Sequence, residues 1–413
     1  MFEGEIESVS KGTEEKLLNR NFILLLQGQM VSIFGDNVYD IALRVWILSK
    51  TGSLSLMSIL LAANLLPKIF ISPFAGTFVD RHNRKVILII SDIISGVSII
   101  FISLGAIAGF LKIWMVLLSG VAIGTCGCFF YPTINSSIPD LVPKTKLLKA
   151  NSIVSGVASI NDVAGYALGG FLVQAISVPL LFLFNGLTFL FSAAAESLIK
   201  IPKGQTSSEK ISFIKDLKEG IIFVNKEKGL KYLYITIIFM NFFASMSMTL
   251  TLPWFKMHKE LGVGFYGVSM AVNTLGVFVG YVALSLTEIK RENKFIAFIL
   301  SGVLVSITMM IYASTLNTYL ITVLFFIDGL SLAIMGTLIQ ASMQNCVLTN
   351  MRCKIFAFRN TLSSAFMPLA IITAGILGER ISMNKIIFVD YAFFLALFIY
   401  LSFLKSVKEI MNK

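Results

Sequence analysis

Apolar runs separated by short polar breaks recur along the whole chain, at about 21–48, 54–79, 86–110, 113–138, 147–175 and 179–199. A second set follows at about 232–255, 264–287, 295–314, 318–345, 355–378 and 386–404. A helix needs roughly 20 apolar residues to cross the hydrocarbon core of a bilayer. The pattern therefore predicts an all-α membrane protein with twelve spanning helices. They fall into a six-helix half at 21–199 and another at 231–404, with a segment at 1–20 before them and a tail at 405–413 after them. Between the halves, residues 200–230 form the one sizeable polar connector. Within it Ile211, Ile214, Leu217, Ile221 and Val224 recur at three- and four-residue spacing, with Lys215, Asp216, Lys218 and Glu219 between them. That spacing predicts an amphipathic helix lying along the membrane interface.

Composition agrees with a polytopic membrane protein. Hydrophobic residues make up 56% of the chain, charged residues only 14%, and the mean hydropathy is +0.83; soluble domains are roughly 45–50% apolar and 25% charged. The net charge of +11 is dispersed over short loops rather than gathered on one domain, so it reads as topology and not as a nucleic-acid surface. With the N-terminus inside, the inner loops hold 25 of the 34 Lys and Arg residues and the outer loops six, while Arg44, Lys68 and Arg359 fall within spans. Cytoplasmic loops are enriched in both residue types. Both termini and the connector are therefore expected on the cytoplasmic side of a plasma membrane. The first 20 residues include Glu3, Glu5, Glu7, Glu14 and Glu15, and no cleaved signal peptide is visible there. Cys126, Cys128, Cys346 and Cys353 have no metal-ligand spacing and read as small packing residues.

The stretch Gly76, three residues, Asp80-Arg81, two residues, Arg84-Lys85 is a compact charged turn after the second span. It resembles the signature between helices 2 and 3 of the major facilitator superfamily of secondary transporters. Asn83 stands where that family usually has a second Gly, and Asn tolerates the left-handed conformation that a tight turn can need. Further on come Phe129-Phe130-Tyr131-Pro132, Ile138-Pro139-Asp140-Leu141-Val142-Pro143, Ala150-Asn151 and Gly165-Tyr166-Ala167-Leu168-Gly169-Gly170. With Gly35-Asp36, Ala42-Leu43, Leu66-Pro67-Lys68 and the connector stretch from Phe213 to Gly220, these resemble the macrolide-efflux branch of the drug:proton antiporters. Tyr166 replaces a Pro of the branch's helix 5 motif, which removes the usual cause of a sharp kink there. Gly165 and Gly169 still form a small-xxx-small face for helix contact, with Gly170 beside it. Gly276 and Gly280 suggest similar close packing in the eighth span. The resemblance implies two inverted-repeat halves and a monomeric transporter that exchanges protons for a small molecule within the lipid bilayer, without cofactor or metal. It also implies an inner-side latch in which Asp80 pairs with Arg81 and Arg84, with Asp140 nearby.

Ionisable residues inside spans are expensive, at least ~2.5–3.5 kcal/mol on insertion scales, so each is a functional candidate. Six acids qualify, Asp36, Asp40, Asp92, Asp162, Asp328 and Asp390, against the bases Arg44, Lys68 and Arg359. Asp36, Asp40 and Arg44 recur every four residues and share one helix face. Asp40 and Arg44 can pair directly, and Lys68 is the natural counter-charge for Asp36. Asp328 lies near the middle of the tenth span, which in the superfamily lines a central cavity. Asp162 is a further candidate for coupling. Asp92 and Asp390 fall on spans 3 and 12, peripheral in that fold, and read as structural. Glu196, four residues before Lys200, reads as half of an interfacial ion pair, and Arg359 as a residue that snorkels to the inner surface. The fourth span lacks the Arg that many drug:proton antiporters carry.

No phosphate-binding loop, H-E-x-x-H or G-x-S-x-G is present, so neither ATP-driven pumping nor hydrolysis has a visible site. Two transport readings follow. One is proton-coupled efflux of amphipathic, macrolide-like drugs by alternating access. The other is movement of a nutrient, metabolite or siderophore on the same fold. A membrane-embedded enzyme or sensor would call for a large soluble domain, and none is visible.

Overall fold

The computed structural model describes residues 17–143, 146–200, 222, 224–225, 227–287, 289–346 and 352–412, with backbone alone at 73, 77, 80, 148, 344–346 and 352–364. Twelve long helices account for most of these residues. They are α1 (Arg20–Thr51), α2 (Leu54–Arg81), α3 (Arg84–Ile107), α4 (Ile113–Leu141), α5 (Leu147–Ala175) and α6 (Val178–Ser197). The second set is α7 (Lys228–Met257), α8 (Gly262–Leu286), α9 (Lys294–Tyr312), α10 (Thr318–Cys346), α11 (Arg352–Gly378) and α12 (Met383–Ser402). A short α13 (Lys405–Met411) follows. Each apolar run of the sequence is thus a helix. The amphipathic helix expected at 200–230 falls almost wholly outside the described residues.

Polar breaks end the helices by identifiable means. Gly52 closes α1 in the left-handed region, at φ +66°, and its amide donates to the Leu48 carbonyl at 3.0 Å, a conformation that favours glycine. Ser53 then caps α2, its hydroxyl accepting from the Leu56 amide at 3.1 Å. Asn83 departs from expectation. Its φ is −70°, and it serves as the N-cap of α3 by accepting from the Lys85 amide at 3.0 Å. The charged stretch is correspondingly less of a loop than the sequence suggests. Gly76, Asp80 and Arg81 are still in α2, Arg84 opens α3, and only His82 and Asn83 separate the two.

Among the described residues, nine helices from α2 to α10, together with α12, are long and apolar enough to cross a membrane. α1 falls short on composition alone, since Asp36, Asp40 and Arg44 interrupt it, but its 32 residues exceed the length required. In α11 the described apolar part is Ala365–Gly378. The belt is inside out relative to a soluble protein. In α3, Val86, Ile90, Ile93, Val97, Phe101 and Leu104 face outward, while Ser91, Asp92 and Ser95 are buried.

Contacts group the helices as the sequence pattern does. α1 packs on α5 and α6, α2 on α4, and α3 on α4 and α6; α7 packs on α11 and α12, α8 on α10, and α9 on α10 and α12. The same contact recurs in both sets. Gly124 of α4 lies against the Asn64 carbonyl of α2, and Gly329 of α10 lies against the Asn273 carbonyl of α8, each so close that a side chain there would overlap backbone. The two sets join through α2 with α11 and α5 with α8. α13 is folded rather than a free tail. It packs on α7, where Gly229 meets the Ser406 carbonyl, and Asn412 behind it accepts from the Phe295 amide at 3.0 Å and from the Arg291 side chain.

Candidate functional site: a charged cavity between the two helix sets

A cavity of about 510 Å³ lies between the two helix sets, walled by α1, α2, α3, α4 and Phe189 of α6 on one side and by α7 and α11 on the other. Its charged lining comes from the first set: Asp36, Asp40 and Arg44 of α1, Lys68 of α2 and Asp92 of α3. The second set contributes Ser245, Met248, Thr249, Met367 and Ile371. Such a volume suits a drug-sized ligand, and a largely apolar wall with a few convergent polar groups is usual for ligand sites.

The four-residue repeat of α1 is what brings three charges to one wall. Arg44 and Asp40 are paired at 2.9 Å, as their spacing predicts, with the Arg side chain 11% exposed and the Asp 35%. Asp36 accepts from the Asn185 amide of α6 at 3.2 Å. Lys68 shares the cavity with Asp36, but among the described residues it forms no ion pair within 4.0 Å. With Arg44 engaged by Asp40, Lys68 is left facing both Asp36 and Asp92, and the charged lining is acidic by one.

Two expected acids stand behind the wall rather than on it. Asp162 of α5 accepts from Asn37 of α1 at 3.0 Å, and it is Asn37 that reaches the cavity. Asp328 of α10 is buried against α8, where it accepts from Asn273 at 2.8 Å while its other oxygen has no partner; it is absent from the lining. Asp390 accepts from Ser247 of α7 at 2.9 Å, a helix-joining contact. Asp92, read from the sequence as a peripheral support, is on the cavity wall. Glu196 does not pair with Lys200, whose amide instead meets Asn21; its carboxylate is buried without a partner.

At the end where α1 begins, Arg84 pairs with Asp140 and also donates to the Ser136 carbonyl at 2.9 Å. Lys85 donates to the Ser197 carbonyl at 2.6 Å. The side chains of Asp80 and Arg359 lie outside the described residues. Gly76 has open space around it. Gly165 and Gly169 pack on α1 as their spacing predicts: an added side chain at Gly165 would come within 2.6 Å of Asn37, and one at Gly169 within 3.0 Å of Ile41. Gly170 turns the other way, toward Val263 and Gly267 of α8.

The opposite end carries contacts between the sets that the sequence did not reveal. Glu379, just beyond α11, accepts from the Ser53 hydroxyl and, at 2.9 Å, from the Ser55 amide at the start of α2. Those hydrogen bonds, the Ser53 hydroxyl foremost, hold the Glu379 carboxyl below its ordinary range. Lys256 of α7 donates to Ser49 of α1 at 2.7 Å. Residues far apart in sequence meet here at helix ends, and no local spacing marks such pairs.

Comparison with known proteins agrees with this architecture. The family model described as Major Facilitator Superfamily matches residues 25–371. Macrolide efflux protein A of Streptococcus pyogenes is 24% identical over 374 residues, covering 88% of this chain and 90% of its own. The putative bacilysin exporter BacE of Bacillus amyloliquefaciens is 32% identical over 209 residues, half of each chain. Among solved structures, a bacterial homologue of the iron transporter ferroportin in an inward-facing state superposes with a TM-score of 0.74 at 14% identity, covering 94% of this chain and all of that one.

Proposed function

The chain belongs to the Major Facilitator Superfamily, a family of transporters in the membrane, and from that premise we propose that it is a proton-coupled exporter of amphipathic, cationic, macrolide-like molecules in a bacterial cytoplasmic membrane. The observation that carries this reading is the cavity wall. Asp36, Asp40 and Asp92 outnumber Arg44 and Lys68 there, and Met248, Met367 and Ile371 face them. A cation seated against Asp36 offsets the unmatched charge, while methionine offers a soft, adaptable surface to its apolar body.

Coupling follows from competition. A carboxylate in a low-dielectric site carries either a proton or a cationic ligand, so cargo entering at Asp36 releases a proton and a returning proton releases cargo. Asp40 and Arg44 tune that site, and Lys68 balances it. Asp162 acts from behind the wall through Asn37, which lines the cavity, and Asp328, held by Asn273 between α10 and α8, is a second protonation site away from it. The Lys and Arg bias puts the start of α1 in the cytoplasm. On that reading the Glu379 and Lys256 contacts close the outer end, and this is an inward-facing state of a monomer. The relatives named for macrolide efflux and bacilysin export support an exporter over an importer.

The test is accumulation of radiolabelled erythromycin, and separately of ethidium, in everted vesicles with and without an inside-acid gradient. Accumulation that needs the gradient supports the proposal. Uptake of neither compound, alongside growth support on a limiting nutrient, would replace it with the metabolite reading.

A further inference from the structure

Behind the cavity, α1, α3 and α6 enclose a polar seam that the coupling scheme above does not use. On α6, Asn185, Thr188, Ser192 and Glu196 recur at three- and four-residue spacing and are all buried. Asn185 reaches Asp36 at the cavity, and Gly35 of α1 lies against Asn185 and Thr188. One turn or more further, Gly28 of α1 lies against the Ser192 hydroxyl. α3 runs antiparallel to α6, held close by Gly96 against the Gly186 carbonyl. That register sets Asp92 beside Ser192 and Glu196 one turn nearer the end of α6. There the next residue, Ser197, takes the Lys85 ammonium on its carbonyl.

Asp92 and Glu196 are each 1% exposed. Both Glu196 oxygens, one Asp92 oxygen and the Ser192 hydroxyl lack a hydrogen-bond partner, and Ser192 stands close to Asp92 without bonding geometry. The charged and titratable groups facing the pair are few. α1 presents Asp36, another acid; α4 presents Cys126 and Tyr131. Lys68 of α2 is across the cavity, and Lys85 is directed at Ser197; neither forms an ion pair with Asp92 or Glu196. Two carboxylate ions buried within about one helical turn of each other without a counter-charge are untenable, and like charges sharing a site retain a proton between them.

We infer that Asp92 and Glu196 form a proton-binding pair behind the cavity wall, which holds one shared proton and exchanges it with the cavity through Asp92. The inference rests on the proton-coupled reading for its role in transport, but not for the site itself. Asp92 touches the cavity, and Glu196 lies in the last turn of α6, at the end that the Lys and Arg bias puts in the cytoplasm, so the pair bridges the cargo site and the inner face. It takes a proton rather than a drug, because Glu196 and Ser192 are buried and neither lines the cavity.

The wild-type protein in liposomes can be treated with dicyclohexylcarbodiimide, which reacts with protonated carboxyls in apolar surroundings, and mapped by mass spectrometry. The expected result is an adduct on Asp92 or Glu196 at acidic pH that is lost at alkaline pH and is indifferent to sodium at fixed pH. No adduct on either residue, or an adduct insensitive to pH, overturns the pair. Protection by sodium at constant pH would make it a sodium site and overturns it equally. In everted vesicles, Glu196→Gln is expected to lose gradient-driven ethidium accumulation while keeping ethidium binding, read by fluorescence. Retained accumulation in that variant removes the pair from the transport cycle. If the wild type labels as expected but shows no gradient-driven transport, the proton site stands and the antiport reading falls.

Discussion

At the scale of single residues, burial and partner decide which charges matter, and the sequence reveals burial better than partner. The Asp40–Arg44 pair was legible because helix geometry fixes it. Arg44 is almost enclosed, so removing its partner leaves an unpaired buried charge, whereas Asp40 is about a third exposed. Asp40→Asn is therefore expected to destabilise by about 2 kcal/mol, below the ~3–5 of a fully buried pair. A thermal melt in detergent reads this loss, and the double variant Asp40→Asn/Arg44→Leu is expected to recover most of it. Full stability of the single variant would mean that Arg44 finds another acceptor. Glu196 shows where spacing misleads. Lys200 is four residues on, as an ion pair would need, but α6 ends at Ser197, so the helical relation between them never forms. Asp328 lies well inside α10, as its place in the apolar run predicts, but it faces α8 and not the cavity. Facing α8 or facing the cavity depends on helix rotation, which an apolar helix with no polar stripe leaves undetermined.

At the scale of elements, the apolar runs gave all twelve long helices, because in a bilayer the backbone must satisfy itself within each segment. Close approach between helices was legible only in part. Gly165 and Gly169 announced their contact by spacing, but Gly124 and Gly329 are single glycines whose repeated role emerges only when α2 with α4 is set beside α8 with α10. Gly124→Ala is expected to force those helices apart at a cost of about 3 kcal/mol, the upper range for overpacking. Gly156→Ala, in α5 with open space around it, is expected to stabilise by roughly 0.5–1 kcal/mol through helix propensity. Folded yield and melting temperature compare the two directly, and equal behaviour would deny the close contact. The Glu379 closure belongs to this scale as well. Its carboxyl is held below the ordinary range when bonded to Ser53 and Ser55, so the contact is at full strength above the ordinary carboxylate range and is lost as pH falls through the lowered value. A pair of spin labels across the start of α2 and the end of α11 is expected to separate on acidification. In Glu379→Gln the same labels are expected to be already farther apart at neutral pH and to lose that acid response; an unchanged response would assign it to another group.

At the scale of the molecule, six apolar runs, a polar connector and six more predict two sets of helices; helices pack within each set, and α2 with α11 and α5 with α8 join the sets. The cavity itself was not legible. It depends on which faces of α1, α2, α7 and α11 turn toward one another, and on contacts such as Ser53 with Glu379 that join residues 326 positions apart. Orientation remains a prediction from the Lys and Arg count, and a reporter fused after Lys413 is expected to report a cytoplasmic C-terminus; an external signal would reverse the closure assigned to Glu379. The measurement that bears most directly on proton-coupled export is erythromycin uptake into everted vesicles, recorded together with lumenal pH. For the wild type, erythromycin is expected to accumulate when the lumen is acid and to raise lumenal pH as it enters. Asp36→Asn is expected to equilibrate the drug without concentrating it and without moving protons. Accumulation by Asp36→Asn equal to wild type, or accumulation by wild type with the gradient collapsed, would contradict the account.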